Sequence, residues 1–212
     1  MKILLDLDGV LADLVSGLMM VHGKPWPFGY DAGNYGPSAW CINEPWRLTP
    51  AELWEPCDWS FWANLPKTPE ADDIYRLAVE TVGVGNVCMC TSPGHVPGAA
   101  DGKRDWCRQH FPDVPVILAV EAWSCHNDGD GSGTPPKHFL AHRGVLLVDD
   151  NQDNCREFSR AGGHCFLWPS WWNDKHEQID QRVELLRREL ELVAKLFGVA
   201  APVNMPAQGL CV

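Results

Sequence analysis

The sequence predicts an α/β protein with a doubly wound parallel sheet and a small, mainly helical cap inserted after the first strand. Three observations lead to this fold. Five short apolar runs alternate with segments of helical length, polar residues end three of these runs, and a Trp-rich stretch interrupts the alternation once. Strands that alternate with helices are typical of parallel sheets joined by right-handed crossovers.

The apolar runs are the predicted strands. An apolar run of this length, without polar alternation, is typical of a strand buried on both faces. The runs are KILL after the first methionine, NVCMCT (86–91), VPVILAV (114–120), GVLLVDD (144–150) and HCFLW (164–168). Between them, helices are predicted over about 69–82, 101–111 and 151–161.

The rest of the chain divides into a cap, a terminal helix and a tail. The cap is rich in Trp, Pro and Gly, whereas the terminal helix carries apolar residues at steps of three and four and ends near Gly198. That helix is expected to pack on the core or, alternatively, to form a dimer seam, so monomer and homodimer both stay open. The predicted boundaries are 1–13 and 67–172 for the core, 14–66 for the cap, 173–198 for the helix and 199–212 for an irregular tail.

Composition excludes several classes of protein. Of the 212 residues, 45% are hydrophobic and 21% charged, which is typical of a folded globular chain. No run reaches the roughly 18 uncharged apolar residues of a membrane span, so no membrane partner is expected. The net charge of -11 disfavours polymeric nucleic acid, and a phosphate substrate would need local positive charge such as a metal ion. Nine cysteines without framework spacing favour buried thiols and a cytoplasmic location.

Two acidic pairs follow predicted strands. Asp6 and Asp8 are two residues apart, so their side chains should face one side, and Asp149 and Asp150 end GVLLVDD. If the two strands are neighbours, these carboxylates converge and repel one another by roughly 4 kcal/mol per pair at about 4 Å. The cluster then needs a cation, and Mg²⁺ suits a site built from a few carboxylates and a substrate phosphate.

Hydroxyl and lysine side chains are expected near the same edge. Thr91 and Ser92 end another strand, where hydroxyl and backbone N–H groups can hold phosphate oxygens, although Ser and Thr end many strands. Lys137 precedes the strand that bears Asp149, and it is either a partner of the acidic cluster or a solvated surface lysine.

The order of these motifs resembles that of a known superfamily. Strand-end DxDGV, then TS, then a lysine, then an apolar strand ending in DD resembles the haloacid dehalogenase (HAD) superfamily of phosphohydrolases over roughly residues 1–172. Within it, the chain looks most like the 5'(3')-deoxyribonucleotidase family. The motifs that carry this likeness are DLDGVLAD, FWANLPKTPEA, CTSP, GKRDWCRQHF and GGHCFLWPSWWN.

The resemblance implies a Rossmann-like core and Mg²⁺-dependent hydrolysis of nucleoside monophosphates through an aspartyl-phosphate. It makes Asp6 the nucleophile and Asp8 the general acid and base. It assigns phosphate binding to Thr91, Ser92, Lys103 and Lys137. It assigns metal binding to Asp6, to the main-chain carbonyl of Asp8 and to Asp149, with Asp150 as a further ligand or a neighbour of the ligands.

The aromatic residues of the cap are candidates for contact with a base. A base stacked on an aromatic ring gains about 1 to 3 kcal/mol, but aromatic residues in a short segment also build its own core. Phe28, Trp46 and Trp62 are the predicted base contacts. Two other functions stay open: the same chemistry on another small phosphate ester, such as a sugar phosphate, and a non-catalytic nucleotide-binding module.

Overall fold

The computed structural model describes residues 1–28, 42–93, 96–119 and 136–199. Within them, five strands form one sheet in the order β3-β2-β1-β4-β5, with every neighbouring pair parallel. The predicted α/β fold is confirmed, and each predicted strand is present. The strands are β1 (Lys2–Leu5), β2 (Val87–Thr91), β3 (Val116–Leu118), β4 (Val145–Asp149) and β5 (His164–Leu167).

The register of the central strands determines where the acidic pairs lie. Leu5 of β1 is paired with Met89 on one side and with Val148 on the other. The N–H of Asp6 donates to the carbonyl of Val148 at 3.0 Å, so the pairing continues one residue beyond β1. Asp6 therefore lies beside Asp149, the residue that follows Val148.

Helices pack on both faces of the sheet, and the side chains of β1 alternate between two apolar clusters. Ile3 and Leu5 join a large cluster with the cap, the first two core helices and the terminal helix, whereas Leu4 joins a smaller one that includes Phe158 of the third core helix. The three helices predicted within the core are present. The core and terminal helices are α5 (Ala71–Val82), α6 (Ala99–His110), α7 (Gln152–Arg160) and α8 (Arg182–Leu196).

The terminal helix starts later than predicted. Its apolar face packs on the core through Leu186, Leu190 and Val193, but α-helix begins at Arg182 and a 3₁₀ turn, His176–Gln181, precedes it. Asn173, where the helix was expected to begin, uses its side-chain amide to donate to two main-chain carbonyls, those of Asp150 and Trp168. This segment is held against the end of β4 and is not available for helix. Beyond Val199, the predicted tail lies outside the described residues.

The described part of the cap is helical, as predicted. Its elements are α1 (Leu14–His22), α2 (Asn43–Trp46), α3 (Pro50–Trp54) and α4 (Trp59–Ala63). Helix α1 begins where the Asp13 carboxylate accepts the N–H of Ser16, and α3 begins with a capping box between Thr49 and Glu52. Cap residues 29–41 lie outside the described residues. No helix in the described ranges has the length and apolar character of a bilayer span.

A disulfide joins α7 to β5. Cys155 and Cys165 are bonded, with their Cα atoms 5.3 Å apart. The sequence did not predict this pair, because the spacing of two cysteines does not show that α7 packs on β5. The other cysteines in the described ranges are buried thiols, as expected: Cys57, Cys88, Cys90 and Cys107.

Gly102 lets the cap approach the core closely. A Cβ atom on Gly102 would lie 2.6 Å from the carbonyl oxygen of Trp59 and 2.7 Å from Cβ of Trp62, both on α4. We expect Gly102→Ala to lower the free energy of unfolding by about 1 to 3 kcal/mol, because neither backbone can move without disturbing the core. Urea unfolding measures this change. Gly85→Ala is the control, since a Cβ there meets nothing within 4 Å; equal effects of the two substitutions would contradict the expectation.

Candidate active site

Three buried carboxylates converge at the carboxyl ends of β1 and β4. Asp6, Asp149 and Asp150 each place one oxygen within 4.8 Å of the other two. Lys137, on a 3₁₀ turn over Lys137–Leu140, reaches into the cluster, with Nζ 2.7 Å from Asp149 Oδ2 and 2.9 Å from Asp6 Oδ1. The sequence predicted that Asp6 and Asp8 would converge with Asp149 and Asp150 if β1 and β4 were neighbours. The parallel register brings Asp6, Asp149 and Asp150 together, but the expectation for the Asp8 side chain is wrong.

The surroundings of the cluster favour the protonated, neutral form of two of its carboxylates. Burial, with repulsion from Asp149 and Asp8, raises the pKa of Asp6 to about 8 against the attraction of Lys137. Burial and repulsion from Asp6 and Asp149 also raise the pKa of Asp150 well above its ordinary value. Burial acts to lower the pKa of Lys137, but Asp149 and Asp6 outweigh it and raise that pKa. One lysine therefore does not balance the carboxylates.

A divalent cation fits this arrangement. Asp6 Oδ1 lies within ion-pair distance of Lys137 Nζ but outside hydrogen-bond geometry, and it has no hydrogen-bond partner among the described residues. A buried carboxylate oxygen without a hydrogen bond, in a cluster with excess negative charge, is a suitable ligand for a hard cation. Asp6, Asp149 and Asp150 can hold such an ion, and Mg²⁺ matches their oxygen chemistry.

Asp8 lies outside this cluster and pairs with Lys103. The Lys103 Nζ donates to Asp8 Oδ2 at 2.5 Å and to the carbonyl of Ser92 at 2.9 Å, and it lies 4.5 Å from the ring centroid of Trp62. Lys103, for which phosphate binding was predicted, is thus buried as the partner of Asp8. The other oxygen of Asp8, Oδ1, is buried and has no hydrogen-bond partner among the described residues.

Thr91 ends β2, the neighbour of β1, and Ser92 follows it, so both lie at the same edge as Asp6. Thr91 is fully buried, and its hydroxyl donates to the carbonyl of Ser92 at 3.4 Å. Ser92 is partly exposed and, through that carbonyl, also contacts Lys103. Their predicted role as phosphate ligands stays a prediction.

Three residues contact Asp150 in a way that the sequence did not predict. Trp172 Nε1 donates to Asp150 Oδ2 at 2.6 Å, and Asn173 Nδ2 donates to the Asp150 carbonyl at 2.9 Å. Gly9 has a φ of 78°, and a Cβ there would lie 2.3 Å from Asp150 Oδ2. The segment WPSWWN after β5 was the available signal in the sequence. A sequence motif alone does not show which residues of the fold such a segment contacts.

The three aromatic residues predicted to contact a base, Phe28, Trp46 and Trp62, are all buried, and they differ in the groups that they contact. Phe28 is buried against Trp172, with ring centroids 5.4 Å apart. Trp46 and Trp62 are buried in the cap, and their indole N–H groups donate to main-chain carbonyls at 2.9 Å. Trp26 packs on Phe28 and meets Trp171 edge to face, and the two tryptophans are 41% and 37% exposed.

The metal-free protein is expected to lose stability as the pH rises. Between about pH 4 and about pH 8 the folded state binds more protons at Asp6 than the unfolded chain does, so the free energy of unfolding falls as the pH rises. The raised pKa of Asp150 acts in the same direction. Mg²⁺ binds the ionised carboxylates, so the stabilisation that it adds should grow over the same range. Thermal unfolding with Mg²⁺ or with a chelator measures both trends, and an Mg²⁺ effect that is independent of pH would contradict them.

Fold and site together define a class: a doubly wound α/β protein with a buried carboxylate cluster, able to hold a metal ion, at the carboxyl edge of its sheet. No family model matches the sequence, and no curated protein matches it significantly. Among solved structures, a HAD family enzyme from Bacteroides thetaiotaomicron, in complex with magnesium and inorganic phosphate, is 14% identical. That alignment covers 82% of this chain and 96% of the other, with a TM-score of 0.35.

Two further structures are similar to the same degree. The magnesium complex of that Bacteroides enzyme is 15% identical, with coverage of 85% and 98% and a TM-score of 0.36. A hydrolase from Pseudomonas syringae is 14% identical, with coverage of 87% and 98% and a TM-score of 0.35. Likeness at this level does not identify a reaction.

Proposed function

We propose that this protein is a Mg²⁺-dependent phosphomonoesterase of the HAD superfamily that hydrolyses nucleoside monophosphates. The observation that carries the proposal is the buried cluster of Asp6, Asp149 and Asp150, which holds Lys137 and lies close to Asp8. A nucleophile, a cation site and a second carboxylate for proton transfer are the groups that hydrolysis of a phosphate ester requires.

The first half of the reaction forms a bond between Asp6 and phosphorus. A carboxylate oxygen of Asp6 attacks in line, the bond from phosphorus to the ester oxygen breaks, and Asp8 gives its proton to the departing oxygen. Lys137, 2.9 Å from Asp6 Oδ1, brings positive charge to the attacked phosphoryl group. When bound, Mg²⁺ supplies further positive charge for the phosphate oxygens.

The second half restores the carboxylate of Asp6. Water attacks phosphorus in the aspartyl-phosphate, Asp8 takes a proton from that water, and inorganic phosphate leaves. Lys103 holds the carboxylate of Asp8 through a 2.5 Å hydrogen bond, and Trp62 lies beside the lysine ammonium. In this proposal Lys103 orients Asp8 and contacts the phosphate when the substrate enters, while Thr91 and Ser92 supply donors from β2.

Aromatic side chains beside the site support a nucleoside as the leaving group. Phe28 packs on Trp172, which is hydrogen-bonded to Asp150, and Trp26 packs on both Phe28 and the partly exposed Trp171. The exposed rings of Trp26 and Trp171 offer flat apolar surface to a base near the carboxylate cluster. Trp46 and Trp62 would instead support that surface from within the cap.

A phosphate-release panel tests the proposal. Release from dUMP, dTMP, UMP and a set of sugar phosphates is measured with Mg²⁺ and again with a chelator. We expect Mg²⁺-dependent release, with nucleoside monophosphates hydrolysed faster than sugar phosphates. Faster hydrolysis of a sugar phosphate would contradict the nucleotide substrate class and favour a sugar phosphatase. Nucleotide binding without any phosphate release would contradict catalysis and favour a nucleotide-binding module.

A further inference from the structure

We propose that Trp172 is a positioning residue that holds the Asp150 carboxylate in the orientation that binds the cation. This inference rests on the proposed function, in that the cluster of Asp6, Asp149 and Asp150 is taken as the cation site. Trp172 is not a ligand itself, because an indole N–H can only donate a hydrogen bond.

A hydrogen bond joins the two side chains. Trp172 Nε1 donates to Asp150 Oδ2 at 2.6 Å, which is short for an N–H donor. Asp150 is buried, so this bond is not exchanged for one to solvent. A single donor at Oδ2 restricts rotation of the carboxylate and so determines which oxygen faces Asp6 and Asp149.

The indole of Trp172 is confined on two sides. A Cβ atom on Gly9 would lie 2.7 Å from Trp172 Cζ2 and 2.3 Å from Asp150 Oδ2, so the backbone of Gly9 lies directly against both side chains. On another side, the ring of Phe28 packs on the indole with centroids 5.4 Å apart. The indole therefore has little freedom to move away from Asp150.

The segment that carries Trp172 is anchored to the backbone of Asp150. The next residue, Asn173, donates through Nδ2 to the main-chain carbonyls of Asp150 and Trp168, at 2.9 and 2.8 Å. Two adjacent residues thus hold Asp150, one through its carboxylate and one through its backbone. An arrangement that orients a ligand through both parts of the residue is typical of the partners that tune metal sites.

The proposal predicts a change in cation affinity in the absence of substrate. Trp172→Phe keeps an aromatic ring but removes the N–H donor, and we expect Mg²⁺ to bind about 10- to 100-fold more weakly. Trp172→His keeps a ring N–H donor and should recover part of the loss. Isothermal titration with Mg²⁺, and electron paramagnetic resonance with Mn²⁺ as a second probe, measure the affinity without any turnover.

Trp59→Phe is the matched control. Trp59 Nε1 also donates to a carboxylate, Asp105 Oδ2 at 3.0 Å, but Asp105 lies outside the cation site. Removing that hydrogen bond should leave Mg²⁺ affinity unchanged. If Trp172→Phe weakens binding no more than Trp59→Phe does, the positioning role is overturned.

A measurement on the unsubstituted protein keeps the proposal testable if the Trp172 variants do not fold. The indole N–H held by the Asp150 carboxylate should give a downfield nuclear magnetic resonance signal that moves when Mg²⁺ is added. If no indole signal moves on saturation with Mg²⁺, the proposal is overturned. If Trp172→Phe weakens Mg²⁺ binding while the panel shows no phosphate release, the positioning role stands and the proposed function fails.

Discussion

Asp6→Asn is expected to abolish phosphate release while the protein stays folded. Removal of a nucleophile lowers turnover by about four orders of magnitude or more, because an amide oxygen does not form the covalent bond to phosphorus. The structural cost should be small, since the pKa of Asp6 is raised to about 8 and the metal-free site already favours a neutral group there. Lys137 also keeps its hydrogen bond to Asp149 in this variant.

Initial rates of phosphate release measure this effect, and circular dichroism checks the fold. The matched control is Asp73→Asn, which removes an exposed carboxylate that pairs with Arg76 on α5. That variant should keep the activity of the unsubstituted protein. Asp6→Asn protein that retains a tenth of the parent rate would exclude Asp6 as the nucleophile.

Lys137→Met is expected to lower the free energy of unfolding of the metal-free protein by about 3 to 5 kcal/mol at about pH 8, because it leaves buried carboxylates without their ammonium partner. Asp6 and Asp149 both lie within ion-pair distance of Lys137 Nζ. The effect should shrink as the pH falls, since protonation of Asp6, whose pKa is about 8, removes the charge that needs a partner. Added Mg²⁺ should restore part of the loss.

Lys67→Met is the control for this substitution. Lys67 pairs with Asp72 at 2.5 Å, but that pair is exposed to solvent, with 30% and 74% of the two side chains accessible. Exposed ion pairs contribute less than about 1 kcal/mol. Urea unfolding of both variants at low and high pH measures the difference, and similar losses for the two would contradict the assigned role of Lys137.

The strands, and the shared edge at which Asp6 meets Asp149 and Asp150, could be predicted from the sequence because the apolar runs and the acids that follow them are short-range patterns. A buried parallel strand requires consecutive apolar residues, so KILL and GVLLV identify β1 and β4 directly. Parallel strands all end at one edge, so acids that follow two of them approach each other when the strands are neighbours. Asp6, Asp149 and Asp150 were found in this way, whereas Lys137 was assigned from the resemblance to the HAD superfamily.

The partners of those acids could not be predicted, because they come from segments distant in sequence. Lys103 turned out to bind Asp8, 95 residues away along the chain, and Trp172 binds Asp150 from the segment after β5. The late start of α8 could not be predicted for the same reason, since it depends on a contact between segments distant in sequence. Apolar spacing marks a helical face, but it does not show that the Asn173 side chain is held at the carbonyl of Asp150.

By itself, the sequence determined the sheet, the edge at which chemistry can occur and the excess of carboxylates there, since burial of apolar runs leaves few other arrangements. The tertiary structure decided which donor meets which carboxylate, which aromatic rings remain exposed beside Phe28, and that α4 can press against Gly102. The physical reason is that hydrogen bonds and close packing depend on positions within a few tenths of an ångström, and only the assembled chain provides them.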